Sequence, residues 1–354
     1  MPRTPVLPAH LAALLAAGTV IPAHPLALDA NRHLDERRQR ALTRYYHAAG
    51  AGGVAVAVHT TQFEIRDDRY GLFEPVLALA ADVLDKEATH PMIRIAGAVG
   101  PTSQAMCEAA TAAQLGYHAV LLSPLVVGAS EEQLLDRARA VGDVLPIVGF
   151  YLQAAIGGPV LSREFWRAFA DIPAVVAIKA APFNRYRTLD VVLGLADSAR
   201  ADEVSLYTGN DDSIISDLLA VYHLVRSGRP VERRIVGGLL GQWAVGTQAA
   251  VKVLGLSKRA HSGDADARAA LISMATDLTD FNAAVFDPAH DFAGVIAGVH
   301  EVLRQQGLLE GTWCLDPKGA LSPGQAEEIR RARRMYPCLT DDDFVAEHRD
   351  EWLR

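Results

Sequence analysis

Short β-branched runs recur along this chain between longer stretches rich in alanine, leucine and charge. The runs at 19–22, 53–58, 92–98, 119–123, 146–151, 175–179, 204–208 and 234–238 read as strands. Between them, apolar residues return at helical spacing over 35–49, 70–87, 103–115, 131–141, 162–170, 188–198 and 213–227. A short Leu-Ala stretch at 11–17 predicts a further helix ahead of the first strand. Strands alternating with helices of this length imply βαβ units and a parallel sheet. Eight of them in about 220 residues fit a closed (β/α)8 TIM barrel better than an open doubly wound sheet. The open sheet would call for a GxGxxG after the first strand, and none is present.

Past Val251 the pattern turns helical, at 264–286, 291–306 and 323–335, with Pro317, Pro323 and Pro337 as punctuation. The expected organisation is therefore a barrel over 1–250, with its N-terminal helix, and a helical C-terminal extension over 251–354 packed on it. Composition narrows the class. Half of the 354 residues are hydrophobic, enough for one large core. The 34 basic and 42 acidic residues give a net charge of −8 without a basic stripe, which argues against nucleic acid as a partner. The longest uncharged run, 109–130, is broken by Gln114, His118, Pro124 and Gly128, so no membrane span is expected. Three scattered cysteines (Cys107, Cys314, Cys338) fit a reducing cytoplasm and form no CxxC zinc motif.

In a barrel the chemistry sits where strands end and the following loops begin. Those ends carry His24, then His59-Thr60-Thr61-Gln62-Phe63, then Ser123, Tyr151, Lys179, and Thr208-Gly209-Asn210-Asp211-Asp212. Lys179 closes the apolar run that starts at Ala174. An ammonium there is costly to keep charged, so its pKa falls and the amine becomes a nucleophile. Tyr151 ends the run 146–151, 28 residues earlier. On adjacent parallel strands the two side chains are expected side by side, an amine and a phenol suited to imine chemistry. His24, His59, Asp211 and Asp212 have no diagnostic metal spacing, so neither metal nor cofactor is expected.

Four features, in order and at matching spacing, resemble the dihydrodipicolinate synthase / N-acetylneuraminate lyase superfamily of class I, Schiff-base aldolases. Val58-His59-Thr60-Thr61-Gln62 stands at the family's GTTGE loop, and Ile93-Arg-Ile-Ala-Gly97-Ala-Val-Gly100 at its third strand. Phe150-Tyr151 with Leu161-Ser162 resembles its fifth strand and the helix start after it. Val175-Val-Ala-Ile-Lys179 resembles its Schiff-base strand.

The resemblance implies a lyase or hydro-lyase acting on a 2-oxo acid such as pyruvate. Lys179 would form the imine, Tyr151 would relay protons and Thr60 would join that relay. Thr61 would hold the carboxylate, with His59 and Gln62 beside it. It also implies a homodimer or homotetramer.

The departures point away from a lysine-biosynthesis synthase. The GTTGE loop has lost both glycines and its glutamate, and Ile156 stands where the synthases place an arginine. Arg185 is the expected substitute anion clamp, with Asn184, Asn210 and Asp211 addressing the rest of the substrate. Two alternatives stay open: a repurposed barrel that binds a small metabolite, and a metal-dependent barrel lyase.

Overall fold

The structure is a computed structural model that describes residues 4–226 and 228–354. All eight expected strands form: β1 (Val20–Pro22), β2 (Gly53–Val56), β3 (Ile93–Ala98), β4 (Ala119–Leu122), β5 (Ile147–Leu152), β6 (Val175–Ala181), β7 (Ser205–Thr208) and β10 (Ile235–Leu240). They make one sheet in the order β1-β10-β7-β6-β5-β4-β3-β2. A parallel bridge from Ala23 to Ala55 joins the ends of the series. Consecutive parallel strands closing on the first define the (β/α)8 barrel.

Helices α1 (Ala9–Ala17), α2 (Glu36–Ala48), α3 (Phe73–Glu87), α4 (Thr102–Gln114), α5 (Glu131–Gly142), α6 (Arg163–Ala170), α7 (Arg185–Asp197) and α8 (Ile214–Leu219) precede or separate the strands. The C-terminal region carries α9 (Thr247–His261), α10 (Ala265–Phe286), α11 (Val295–Gln305), α12 (Gln325–Met335) and α13 (Asp342–Trp352). A boundary at residue 250 falls inside α9.

One correction concerns the helix expected over 213–227. It stops at Leu219, and an antiparallel hairpin follows, β8 (Tyr222–Arg226) and β9 (Arg229–Arg233). Tyr222-His-Leu-Val225 alternates like a strand, and Gly228 turns the chain at φ +74°. Ser227 lies outside the described residues.

The residues group into two compact units. One comprises the chain up to Thr19 and Ile93–Leu239; the other comprises Val20–Met92 and Leu240–Arg354.

In the first unit, α6 supplies an aromatic cluster in which Trp166 meets Phe165 at 5.1 Å and Phe169 at 5.7 Å between ring centroids. Ser162 starts that helix by accepting from the Phe165 N–H at 3.0 Å, and its own hydroxyl donates to Glu131 of α5 at 2.7 Å. Gly149 of β5 has to be glycine, because a Cβ there would stand 2.5 Å from the Phe169 ring. Buried Arg137 of α5 ties two loops together, donating to the carbonyls of Gly100 (2.8 Å) and Ser123 (2.9 Å).

In the second unit, Asp341 caps α9, whose own cap residue is a side-chain-free glycine. Its carboxylate accepts from the N–H groups of Gln248 (2.6 Å) and Ala249 (2.9 Å) and from the Tyr45 hydroxyl (2.6 Å). Tyr45 also packs on Trp352 of α13 at 5.5 Å, so the last helix is fastened to α2. No helix among the described residues is long and apolar enough to cross a membrane.

Candidate active site

Lys179 lies near the C-terminal end of β6 and is only 9 % exposed. Its neighbours in register are Phe150 of β5 and Tyr207 of β7. Paired residues on parallel strands share a face, while successive residues alternate. Tyr151, one residue on from Phe150, therefore lies on the opposite face. Its ring packs on Trp166 of α6 at 5.2 Å, which marks that face as the helical side. Phe150, Lys179 and Tyr207 face the barrel interior.

This corrects the expected pairing of Lys179 with Tyr151. The Lys179 amine sits 4.4 Å from the centroid of the Phe150 ring. The Tyr151 hydroxyl instead accepts from the Leu161 N–H at 3.3 Å, with the Leu161 carbonyl at 3.4 Å. Burial pushes that phenol above its usual pKa.

The reason is a register irregularity. At the start of the two strands Ile147 pairs with Val175, an offset of 28 residues that would place Tyr151 opposite Lys179. Val148 already pairs with Ala177, and the offset of 29 brings Phe150 opposite Lys179 instead. One extra residue in β6 exchanges the two faces of β5 relative to it.

Burial lowers the Lys179 pKa from 10.5 to about 8, with the negative charge of Asp211 working in the opposite direction. The lysine reaches this position because residue 209 is glycine. A Cβ there would lie 2.4 Å from the Lys179 Cε and 2.7 Å from the Ala181 Cβ.

The loop residues expected to bind substrate are largely committed to the fold. Asn184 caps α7, accepting from the N–H groups of Tyr186 (3.0 Å) and Arg187 (3.2 Å). Arg185, expected as an anion clamp, forms an ion pair with fully buried Asp217 of α8. Asn210 is buried too; its amide donates to Thr188 (3.1 Å) and Asp217 (2.9 Å) and accepts from the Phe183 N–H (2.9 Å). Asp217 also accepts from Thr208 at 2.6 Å, so it gathers β7, α7 and its own helix around one carboxylate. Thr208, in register with Ala180, turns outward to Asp217, and Gly209 lies against the Lys179 side chain. Neither Phe150 nor Asp217 was singled out from the sequence; a phenylalanine before a tyrosine and an aspartate inside an apolar helix carry no distinguishing pattern.

The threonine loop belongs to the second unit. His59–Thr61 form one turn of 3-10 helix after β2. The Thr61 hydroxyl donates to the His24 carbonyl at 2.7 Å and accepts from the Val58 N–H at 3.2 Å, which fastens the loop to the end of β1. Thr60 is 8 % exposed, and its hydroxyl stands 3.4 Å from where a Cβ on Gly241 would lie. Gln62, at φ +72°, accepts from the Leu315 N–H at 2.7 Å, so it anchors the C-terminal segment. His59 is half-buried against Phe63, with 5.7 Å between rings.

His24 is held by the Pro25 carbonyl, Gln39 and Thr43 at 2.8–3.0 Å, and burial lowers its pKa to about 4. Its ring nitrogens are thus occupied. No cluster of three or more His, Cys, Asp or Glu suited to a metal ion occurs among the described residues.

No family model matches the sequence, and no curated protein matches it either. Solved structures do. The dihydrodipicolinate synthase from Oceanobacillus iheyensis superposes with a TM-score of 0.70 at 15 % identity, over 92 % of this chain and 99 % of that one. YagE, an E. coli prophage protein of the dihydrodipicolinic acid synthase family solved in complex with pyruvate, gives 0.72 at 16 %, over 91 % and 99 %. CdNal from Clostridium difficile, solved in complex with mannosamine, gives 0.69 at 13 %, over 90 % and 99 %. The chain shares the fold of these proteins along nearly its whole length.

Proposed function

We propose that this chain is a divergent member of the dihydrodipicolinate synthase / N-acetylneuraminate lyase superfamily. In this reading it is a lyase that forms a Schiff base between Lys179 and the ketone of a 2-oxo acid. The observation that carries the reading is the state of Lys179: interior-facing, at a strand end, and lowered to a pKa of about 8 by burial. At pH 7.5 a pKa of 8 leaves roughly a quarter of the amine neutral, against about a thousandth for an unperturbed lysine. Only the neutral amine attacks a carbonyl, so burial here raises the reactive fraction by two orders of magnitude. The fold shared with a protein solved in complex with pyruvate supports the choice of substrate class.

Once formed, the iminium draws electrons from the adjacent carbon, and cleavage, condensation or dehydration next to C2 becomes accessible. The Phe150 ring face stabilises positive charge on that nitrogen through its quadrupole. Pyruvate with cyanoborohydride tests the reading. We expect one reduced pyruvyl group on Lys179 and none on Lys179→Ala. Absence of labelling on the folded wild-type protein, across a panel of 2-oxo acids, contradicts it.

A second reading is a repurposed barrel that binds a small metabolite without turnover. The commitment of Arg185, Asn184 and Gln62 to structural partners favours it. Ligand-dependent stabilisation without labelling would select it.

A further inference from the structure

Imine chemistry needs a group that carries protons between the amine, the carbonyl oxygen and the carbon next to it. The phenol expected in that role points to the helical side, and a phenyl ring without an exchangeable proton stands in register with Lys179. The first unit must supply the function from another element or forgo it.

β7 and the residues after it bear on the question directly. Lys179 pairs with Tyr207, but the Tyr207 hydroxyl donates to the Leu15 carbonyl at 2.8 Å and accepts from the Thr19 N–H at 3.2 Å. That phenol is buried and tied to the end of α1. Beyond it Thr208 turns outward to Asp217, Gly209 opens space against the Lys179 side chain, and Asn210 turns outward to Thr188 and Asp217. The Gly209 N–H donates to the Ala180 carbonyl at 2.7 Å, which keeps this segment alongside β6 one residue past Lys179. Asp211, two residues past Gly209 in the turn that follows β7, is half-buried, and its negative charge acts on the Lys179 ammonium.

We infer that Asp211 is the catalytic proton carrier of this site, a carboxylate in place of a phenol, supplied by the loop after β7 beside Lys179. The inference rests on the Schiff-base reading of Lys179. The protons balance as follows. Two of the three ammonium protons pass in turn through the Asp211 carboxylate to the ketone oxygen. The C–N bond forms as the carbonyl π bond breaks, and the oxygen leaves as water. The third proton stays on the iminium nitrogen, so the single positive charge is conserved. The carboxylate then takes a proton from C3, and the C–H electron pair forms the enamine while the iminium nitrogen becomes neutral.

The test separates proton transfer from nucleophilic addition. Pyruvate in D2O exchanges its methyl protons when the enamine forms, and cyanoborohydride labels the imine. For Asp211→Asn we expect labelling of Lys179 to reach completion on long incubation. Methyl exchange should fall at least about 100-fold, the scale of one general acid–base group. Asp211→Ser makes the same comparison if the asparagine variant lacks the wild-type circular dichroism.

Exchange within threefold of wild type in a labelled, folded variant overturns the inference and leaves the Lys179 reading standing. Loss of labelling together with exchange, in folded protein, also overturns it, because Asp211 then serves only to position the lysine. A wild-type protein that is never labelled removes the Lys179 reading and this inference with it.

Discussion

Three features of its surroundings set the state of the Lys179 amine, each by a different physical effect. The interior withdraws water and lowers the pKa, Asp211 limits that fall, and Gly209 leaves the space in which the side chain lies. Gly209→Ala would place a methyl group 2.4 Å from the Lys179 Cε, so the lysine must leave its position. We predict at least a tenfold slower labelling by pyruvate and cyanoborohydride, with unchanged circular dichroism. Tyr151→Phe makes the opposite case. Its hydroxyl meets the Leu161 backbone on the helical side, so labelling should stay within twofold of wild type and stability should fall by about 1 kcal/mol in urea titrations. The buried position of Lys179 was legible in the sequence because an ammonium at the end of an apolar β-branched run contrasts with every residue before it. Its partner was not, because an irregularity between Ile147 and Val148 changes the strand offset by one, and residue counting cannot detect such a step.

At the scale of elements, Asp217 organises the C-terminal ends of β6 and β7. Thr208, Asn210 and Arg185 all reach it, and it is inaccessible to solvent. Asp217→Ala removes the carboxylate that accepts from a half-buried guanidinium, from the Thr208 hydroxyl and from the buried Asn210 amide, which keeps only Thr188. We expect about 3–5 kcal/mol of lost stability, read as a lower denaturation midpoint. The strands themselves were legible to within a residue or two, since short β-branched runs and their punctuation are local properties. The polar residues between them were not. Asn184 as a helix cap, Arg185 in an ion pair and Gln62 against Leu315 share the composition of a binding loop, and only three-dimensional contact distinguishes a cap or anchor from a ligand contact. The region after α8 failed for a related reason: Tyr222–Arg226 suits either a helix or a strand, and a pairing with Arg229–Arg233 decides it.

For the whole molecule, the barrel was readable because βα alternation needs no particular residue, only a period. That same tolerance explains how the fold coincides with solved structures over 90–92 % of the chain at 13–16 % identity. The helices after the barrel are held by specific contacts, such as Asp341 on α9 and Trp352 on Tyr45, that carry no periodic signal. The proposed chemistry depends on one buried amine, and its pH response gives the sharpest test. Labelling of Lys179 by pyruvate and cyanoborohydride should be measured from pH 6 to 10, with the modified peptide identified by mass. Because the folded-state pKa lies below that of a free lysine, the rate should rise about tenfold per pH unit at the acid end and level off above about 8. A rate still climbing towards pH 10, or label distributed over surface lysines with none on Lys179, would contradict the account.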